Sequence, residues 1–480
     1  MKKILLTLAF IALTVSCSDD ITGLNVDTKK PTTTKPEYLF TGAQKALVDQ
    51  MVSTSVNFNV FRLFSQYWTE TTYPDESQYD ITTRTIPDNH FRVLYRDVLR
   101  DLKESKTLLD QEKAVGATQI SILANKKAMV DILTCYSFSV LVDTFGDVPY
   151  TEALDIIAHP LPKYDDAKTI YKDLLARLTA DAALLNSAES FGEADLIYGG
   201  DALKWKLFAN SLRLRLAINM ADVDLPYSTA QVTAALASGV IMSNADNTNL
   251  NYLSLQPNAN PLYADLVVSG RNDFVPANTL INKMNTNLDP RRAKYFTLKG
   301  LVYVGGIYGS GNSFTNFSKI NPTIADPTFP GTIFDYTEVE FLLAEASARG
   351  MAVSGTPATH YKAAITASME NWGVDAASTA TYLAQPAVAY ATAAGTWQQK
   401  IGEQAWYGLY NRGFESWTSY RRLDFPVLLA PAAAYNGLTA VPKRYSYPAR
   451  EQTLNATNVN AAITAIGGNT LLTKVFWDKF

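Results

Sequence analysis

Residues 336–372 read YTEVEFLLAEASARGMAVSGTPATHYKAAITASMENW, from Tyr336 to Trp372. Val339, Leu342, Leu343 and Ala346 recur at three- and four-residue spacing, which lines them along one face of a helix running to Arg349. His360 to Trp372 keeps the same helical spacing. Between the two, Gly350 to Pro357 supplies the glycine and proline of a turn. Helices joined by so short a connection lie side by side, so the stretch predicts a helical hairpin.

The same period recurs upstream. Met129, Ile132, Leu133, Tyr136 and Val140 make one stripe, and Tyr171, Leu174, Leu175, Leu178, Ala182 and Leu185 a second. Trp205, Phe208, Leu212 and Leu216 make a third, with Arg213 and Arg215 off it. In size and pattern the hairpins resemble tetratricopeptide units, and roughly four pairs are expected. The fold class is therefore mainly α: tetratricopeptide-like hairpins forming a curved scaffold, with long irregular loops and minor β-hairpins. One helical domain is expected over 38–480.

Two segments break the helical period. Asn244 to Pro261 is dense in asparagine, and Thr297 to Pro330 is rich in glycine, proline and aromatics. The second predicts a short β-hairpin or an irregular loop. Long aromatic loops on a rigid frame are where binding residues gather. Tyr73 and Tyr79, in the polar run Thr69 to Arg84, are candidate ligand contacts, as are Tyr303 and Tyr308. Trp68 is a further candidate, although Phe61, Phe64 and Trp68 share a helical spacing that suits a core.

The formal net charge is -4 and no basic stretch stands out, so nothing favours a nucleic-acid partner. With 3 His and 2 Cys, a metal centre of those ligands has little raw material, and no metal or cofactor is expected. Asn244 to Asn251 offers oxygen ligands without the spacing of a calcium-binding loop. Gly309-Ser310-Gly311 is a lone glycine-rich turn, and signatures for a nucleophile elbow, a zinc protease or a P-loop are missing. A non-enzyme is expected, with paired carboxylates for glycoside hydrolysis left open.

At the N-terminus, Lys2 and Lys3 precede an apolar run from Ile4 to Val15. That run is shorter than the roughly 20 residues a bilayer span requires, and it fits a signal peptide. Thr14-Val15-Ser16-Cys17 resembles a lipobox, so 1–16 is expected to be removed and Cys17 to carry lipid. The polar segment 17–37 then serves as a tether, and no later stretch reads as a membrane span. Cys135, among apolar neighbours, is expected to fill space in a helix.

Several blocks carry a family resemblance. They are Cys17 to Asp20, Leu24 to Thr32, Tyr38 to Gln44, Val142 to Tyr150, Trp205 to Leu216, Gly413 to Arg422, and Pro442 to Pro448. Together and in this order they resemble SusD/RagB-type outer-membrane nutrient-binding lipoproteins, of the second SusD-like subfamily. The resemblance implies a lipid-anchored protein on the outside of the outer membrane. It implies that oligosaccharide or polysaccharide is captured and passed to a SusC-like TonB-dependent transporter. Peptide cargo, or a surface glycosidase, are the alternatives. Physically, the same blocks read as scaffold: Gly146 ends a helix, and Arg421 and Arg422 sit where helix-end carbonyls or Asp424 can receive them.

Overall fold

The hairpin stripes become helices with definite starts. Asp335 and Thr356 each turn a side-chain oxygen to the backbone N–H three residues on, and Pro357 opens its helix where no N–H is needed. The computed structural model describes residues 34–480, and residues Pro36–Phe480 make up one compact unit. The expected leader, Cys17 and nearly all of the 17–37 tether lie outside the described residues.

The longer helices are α1 (Pro36–Val52), α2 (Arg100–Gln111), α3 (Ala117–Phe145), α4 (Ala167–Leu184), α5 (Ala202–Asn219), α6 (Leu225–Ser238) and α7 (Asn278–Thr286). They continue with α8 (Tyr336–Ala348), α9 (Pro357–Asn371), α10 (Ala376–Leu383), α11 (Trp397–Gly408), α12 (Gly413–Leu423) and α13 (Ala456–Ile466). Consecutive helices pack as the pairs α3/α4, α5/α6, α8/α9 and α11/α12, and α8 also packs on α5 and α11.

Among the described residues the β structure is three two-stranded antiparallel ribbons: β1 (Trp68–Glu70) with β5 (Phe274–Pro276), β2 (Val148–Pro149) with β3 (Tyr164–Asp165), and β4 (Thr248–Leu250) with β6 (Gly331–Phe334). The segment from Thr297 to Pro330 is the irregular loop, held by single bridges such as Phe296 to Ile320.

Some helices are more deeply buried than a one-sided stripe predicts. By length and hydropathy α3 could cross a bilayer, but its most apolar window is 94% buried inside the protein, so it is a core helix. Cys135 is a free, buried thiol within it. Helix α5 buries Arg213 and Arg215 along with its apolar stripe, and α8 buries Glu338 and Glu345. Arg213 meets neutral Gln231, at 3.0 Å, whereas Arg215, Glu338 and Glu345 survive burial because opposite charges meet. Arg215 gives two hydrogen bonds to Glu338, at 2.5 and 2.8 Å, and Arg412 gives a third at 2.5 Å. Burial alone would raise the Glu338 carboxyl, but Arg215 and Arg412 outweigh it and hold it below the usual range. Arg422, expected to meet helix-end carbonyls or Asp424, instead grips Glu345 at 3.0 Å, and Asp424 takes Lys443 at 3.2 Å.

The blocks that carry the family resemblance converge. Arg421 lies 3.4 Å over the Trp417 ring and donates to the backbone oxygens of Asp143 and Lys443, at 2.7 and 2.8 Å. Arg444 donates to the Phe145 carbonyl at 3.0 Å, and Tyr445 stacks on Phe61. Three distant sequence blocks are thereby locked together by guanidinium-to-carbonyl bonds, each of which would leave a buried acceptor orphaned if removed.

Replacing Glu338 by Ala takes from Arg215 its main counter-charge and leaves Arg412 with Asp335 as its close one. We expect a loss of about 3–5 kcal/mol in denaturant unfolding.

Candidate functional site

Four irregular segments meet around the β1–β5 ribbon. Thr71 extends the ribbon by donating to Asp273 O at 2.9 Å, and its hydroxyl reaches Asn272 O at 2.6 Å. Asn312, nearly buried, staples the Thr297–Pro330 loop to the same place. Its backbone N–H donates to Thr71 O at 2.6 Å, and its amide donates to Glu70 O at 2.9 Å. Gln78 Nε2 donates to Gly309 O at 2.8 Å, and the Tyr435 backbone N–H donates to Gln78 O at 2.7 Å, which brings in the segment after α12. Gly309 has φ +69°, and a Cβ there would sit 2.3 Å from Pro431, so only glycine permits this junction.

The surface over this junction is apolar and open. Tyr73 has 60% of its surface accessible, and Ile307, Val427 and Leu429 are exposed as well. Arg271, exposed and paired with Asp273 at 2.8 Å, adds a directed donor group. Irregular loops also leave backbone groups free to meet a polar ligand.

The candidate aromatics divide. Tyr73 presents its ring to solvent. Tyr303 is half-buried and lines a different cleft of about 360 Å³, with Arg292 5.4 Å over its ring. Trp68, Tyr79 and Tyr308 are corrected to core residues. Trp68 and Tyr79 have no accessible surface and Tyr308 has 7%. Trp68 misses the helical phase of Phe61 and Phe64 because that helix ends at Phe64 and Trp68 begins β1. Its indole N–H donates to Tyr410 OH at 2.8 Å. Tyr308 OH donates to Leu63 O at 2.7 Å, and the Tyr79 ring lies 6.2 Å from that of Tyr308. These rings support the loops from beneath and leave no face for a ligand.

Sequence reading missed Asn312, whose only signal was an asparagine in a glycine-serine turn. It also missed the backbone strain: Gln66 at φ +53° and Tyr79 at φ +74° hold left-handed conformations that cost on the order of 1–3 kcal/mol each. Both flank the ribbon, so packing pins the loop in an unfavourable shape.

A pair of carboxylates lies under the Tyr73 segment. Glu70 accepts the Ser77 N–H and hydroxyl, each at 2.8 Å, and Glu76 is paired with Arg84. Burial, with Glu76 as a hydrogen-bonded and charged neighbour, pushes Glu70 up to about 9. A proton on Glu70 satisfies Glu76 Oε2, which otherwise has no partner. Elsewhere, Asp131, Cys135 and Asp181 have ligand atoms within 4.8 Å of one another. Arg177 and Lys106 already neutralise Asp131, at 2.8 and 2.7 Å, so the charge a cation would bring is in place.

Residues 28–448 match the family described as "Starch-binding associating with outer membrane", SusD-like of the second type. The chain belongs to the SusD-like family. Solved structures agree. A chitin-binding protein is 27% identical over 93% of this chain and all of its own, with a TM-score of 0.80. A SusD homologue from Bacteroides uniformis is 26% identical over 92% of this chain and all of its own, at a TM-score of 0.77. A chitin-binding SusD homologue from Flavobacterium johnsoniae is 23% identical, covering 92% of this chain and 98% of its own, also at 0.77. A comparison with curated protein sequences returns no match. In this SusD-like chain the helical hairpins and the arginine-locked blocks form the frame, and the loops around β1–β5 form its accessible surface.

The raised Glu70 carboxyl predicts a pH dependence. The folded protein keeps a proton that the unfolded chain releases near pH 4.5, so this stabilisation is complete below that pH and is lost as pH rises through about 9. Thermal unfolding from pH 5 to 10 should show wild type falling relative to Glu70→Gln, which keeps the uncharged shape at every pH. Parallel curves would mean that Glu70 carries no proton.

Proposed function

We propose that the chain is a non-enzymatic glycan-capture lipoprotein on the outside of the outer membrane. In this reading Cys17 is lipidated after removal of 1–16, and 17–37 tethers the domain. The captured oligosaccharide is then handed to a SusC-like TonB-dependent transporter. The observation that carries the reading is the open loop surface that bears the exposed Tyr73 ring and the exposed Arg271 on a rigid frame. The C–H faces of a sugar pack on such a ring, and its hydroxyls take the surrounding polar groups. A surface this open suits weak binding, roughly micromolar to millimolar.

Membership of a starch-binding, outer-membrane-associated family supports the glycan class. Chitin binding in the 27%-identical neighbour makes β-linked N-acetylglucosamine chains the first cargo to try. Against hydrolysis, Glu70 and Glu76 are buried and occupied by Ser77 and Arg84, out of reach of a scissile bond. A peptide cargo is the second reading, favoured by the exposed aliphatic side chains Ile307, Val427 and Leu429 on the segments that meet at the ribbon.

Calorimetry with soluble chito- and malto-oligosaccharides tests this. Tyr73→Ala should weaken the binding of whichever series binds by about fivefold, on the order of 1 kcal/mol, without lowering the melting temperature. Trp68→Ala should instead destabilise the fold by about 3–5 kcal/mol. Reducing ends released from the sugar would overturn the non-enzymatic reading, and silence to sugars with binding of apolar peptides would favour the second cargo.

A further inference from the structure

A second site stands away from the Tyr73 surface, in a cleft bounded by β4, β6, the end of α9 and the link between α11 and α12. Its floor is aromatic. Trp372 follows α9 and is half-buried, with ring centroids 4.7 Å from Tyr295, 5.9 Å from Tyr410 and 6.1 Å from Phe329. Three rings fix its orientation and leave part of it facing the cleft.

The walls carry amide donors that no protein group occupies. Asn249 accepts from the Thr332 hydroxyl at 2.7 Å, Asn371 from Asn247 at 3.3 Å, and Asn411 from Arg62 at 2.8 Å. Each of these bonds uses the amide oxygen. The three NH₂ groups have no partner among the described residues. Arg412 is 93% buried behind the same cleft, where it is held by Asp335 and Glu338 at 2.8 and 2.5 Å and braces the wall. Asn411 is held at φ +71°, a left-handed conformation in a non-glycine residue, so strain is accepted here to aim this side chain. Opposite the amides, Asp335 has one carboxylate oxygen on the Glu338 N–H at 2.8 Å and the other without a partner among the described residues.

The geometry points to a binding site for a single neutral pyranose ring. The indole face suits the C–H face of a sugar, the three amides suit its ring and hydroxyl oxygens, and the free Asp335 oxygen accepts hydroxyl protons. The ring must be neutral, because the Arg412 charge is already balanced by Glu338 and Asp335. Size sets the limit at one ring: the cleft holds about 110 Å³, far below the ~300 Å³ at which drug-sized ligands begin to fit. The site therefore reads a chain end or a free sugar. It does not depend on what binds beside Tyr73.

The test is ligand-observed NMR on the full-length chain in mild detergent, with the methyl glycosides of glucose, galactose and N-acetylglucosamine. Hydrogen exchange with the best binder then locates the site. At least one glycoside should bind and slow exchange at 370–373 and 409–412, with no change over 71–79. Trp372→Ala should weaken that binding at least tenfold. Asn371→Ala, at an exposed position that spares the packed rings, should weaken it about threefold. Failure of all three glycosides to bind, undiminished binding in both variants, or protection confined to 71–79 would each overturn the assignment. Only the last of these would transfer the sugar to the Tyr73 surface.

Discussion

Glu338 is the charge on which the frame depends. It accepts from Arg215 on α5 and from Arg412 in the link between α11 and α12, while its own helix supplies the carboxylate. Three elements far apart in sequence are joined by one buried group, and Glu415 lies within 3.8 Å of Arg215 and 3.7 Å of Arg412. In a low-dielectric interior such a cluster is tolerable only when every member is paired. That requirement specifies how α5, α8 and α12 sit together more narrowly than apolar packing alone, because many apolar surfaces fit one another equally well.

This cluster also explains where the sequence was legible and where it was not. Apolar periodicity located α3, α4, α5, α8 and α9, since side-chain spacing depends only on the local chain. It did not reveal that α8 and the second half of α5 are buried on nearly every side. Arg215 lay off the apolar stripe with no sign of Glu338 as its partner, because their pairing is a contact across 123 residues. Arg422 misled for the same reason: Asp424 was near in sequence, but Glu345 was near in space. The aromatic candidates failed in a related way. Tyr79 lies in a polar segment and Tyr308 in a glycine-rich one, both of which read as surface, yet these segments fold back over β1–β5 and take their rings inside. Tyr73, five residues after Trp68, stays out because its loop is pinned below by Ser77 and Glu70. No local pattern distinguishes Tyr73 from Tyr79.

Function follows from this division of labour. The arginine-locked blocks hold a rigid frame. The loops gain a definite shape only through staples such as Asn312 and through strain at Gln66 and Tyr79. A preshaped surface loses less entropy when a flexible chain settles on it, which matters when each contact is weak. The Trp372 cleft uses the opposite design, a small pocket of aimed donors on a ring held by three others. A broad surface and a one-ring cleft on one scaffold would recognise the length of a polymer and its end by different means.

The central claim is that ligand is held by loops on a frame that does not move. Hydrogen–deuterium exchange of the full-length chain in detergent, with and without a binding oligosaccharide of four or more units, tests it most directly. The account predicts slowed exchange over 71–79 and 301–313, with α3, α5 and α8 unchanged. Unchanged loops with altered exchange in those helices would contradict it, because the frame and not its surface would then be responding to the ligand.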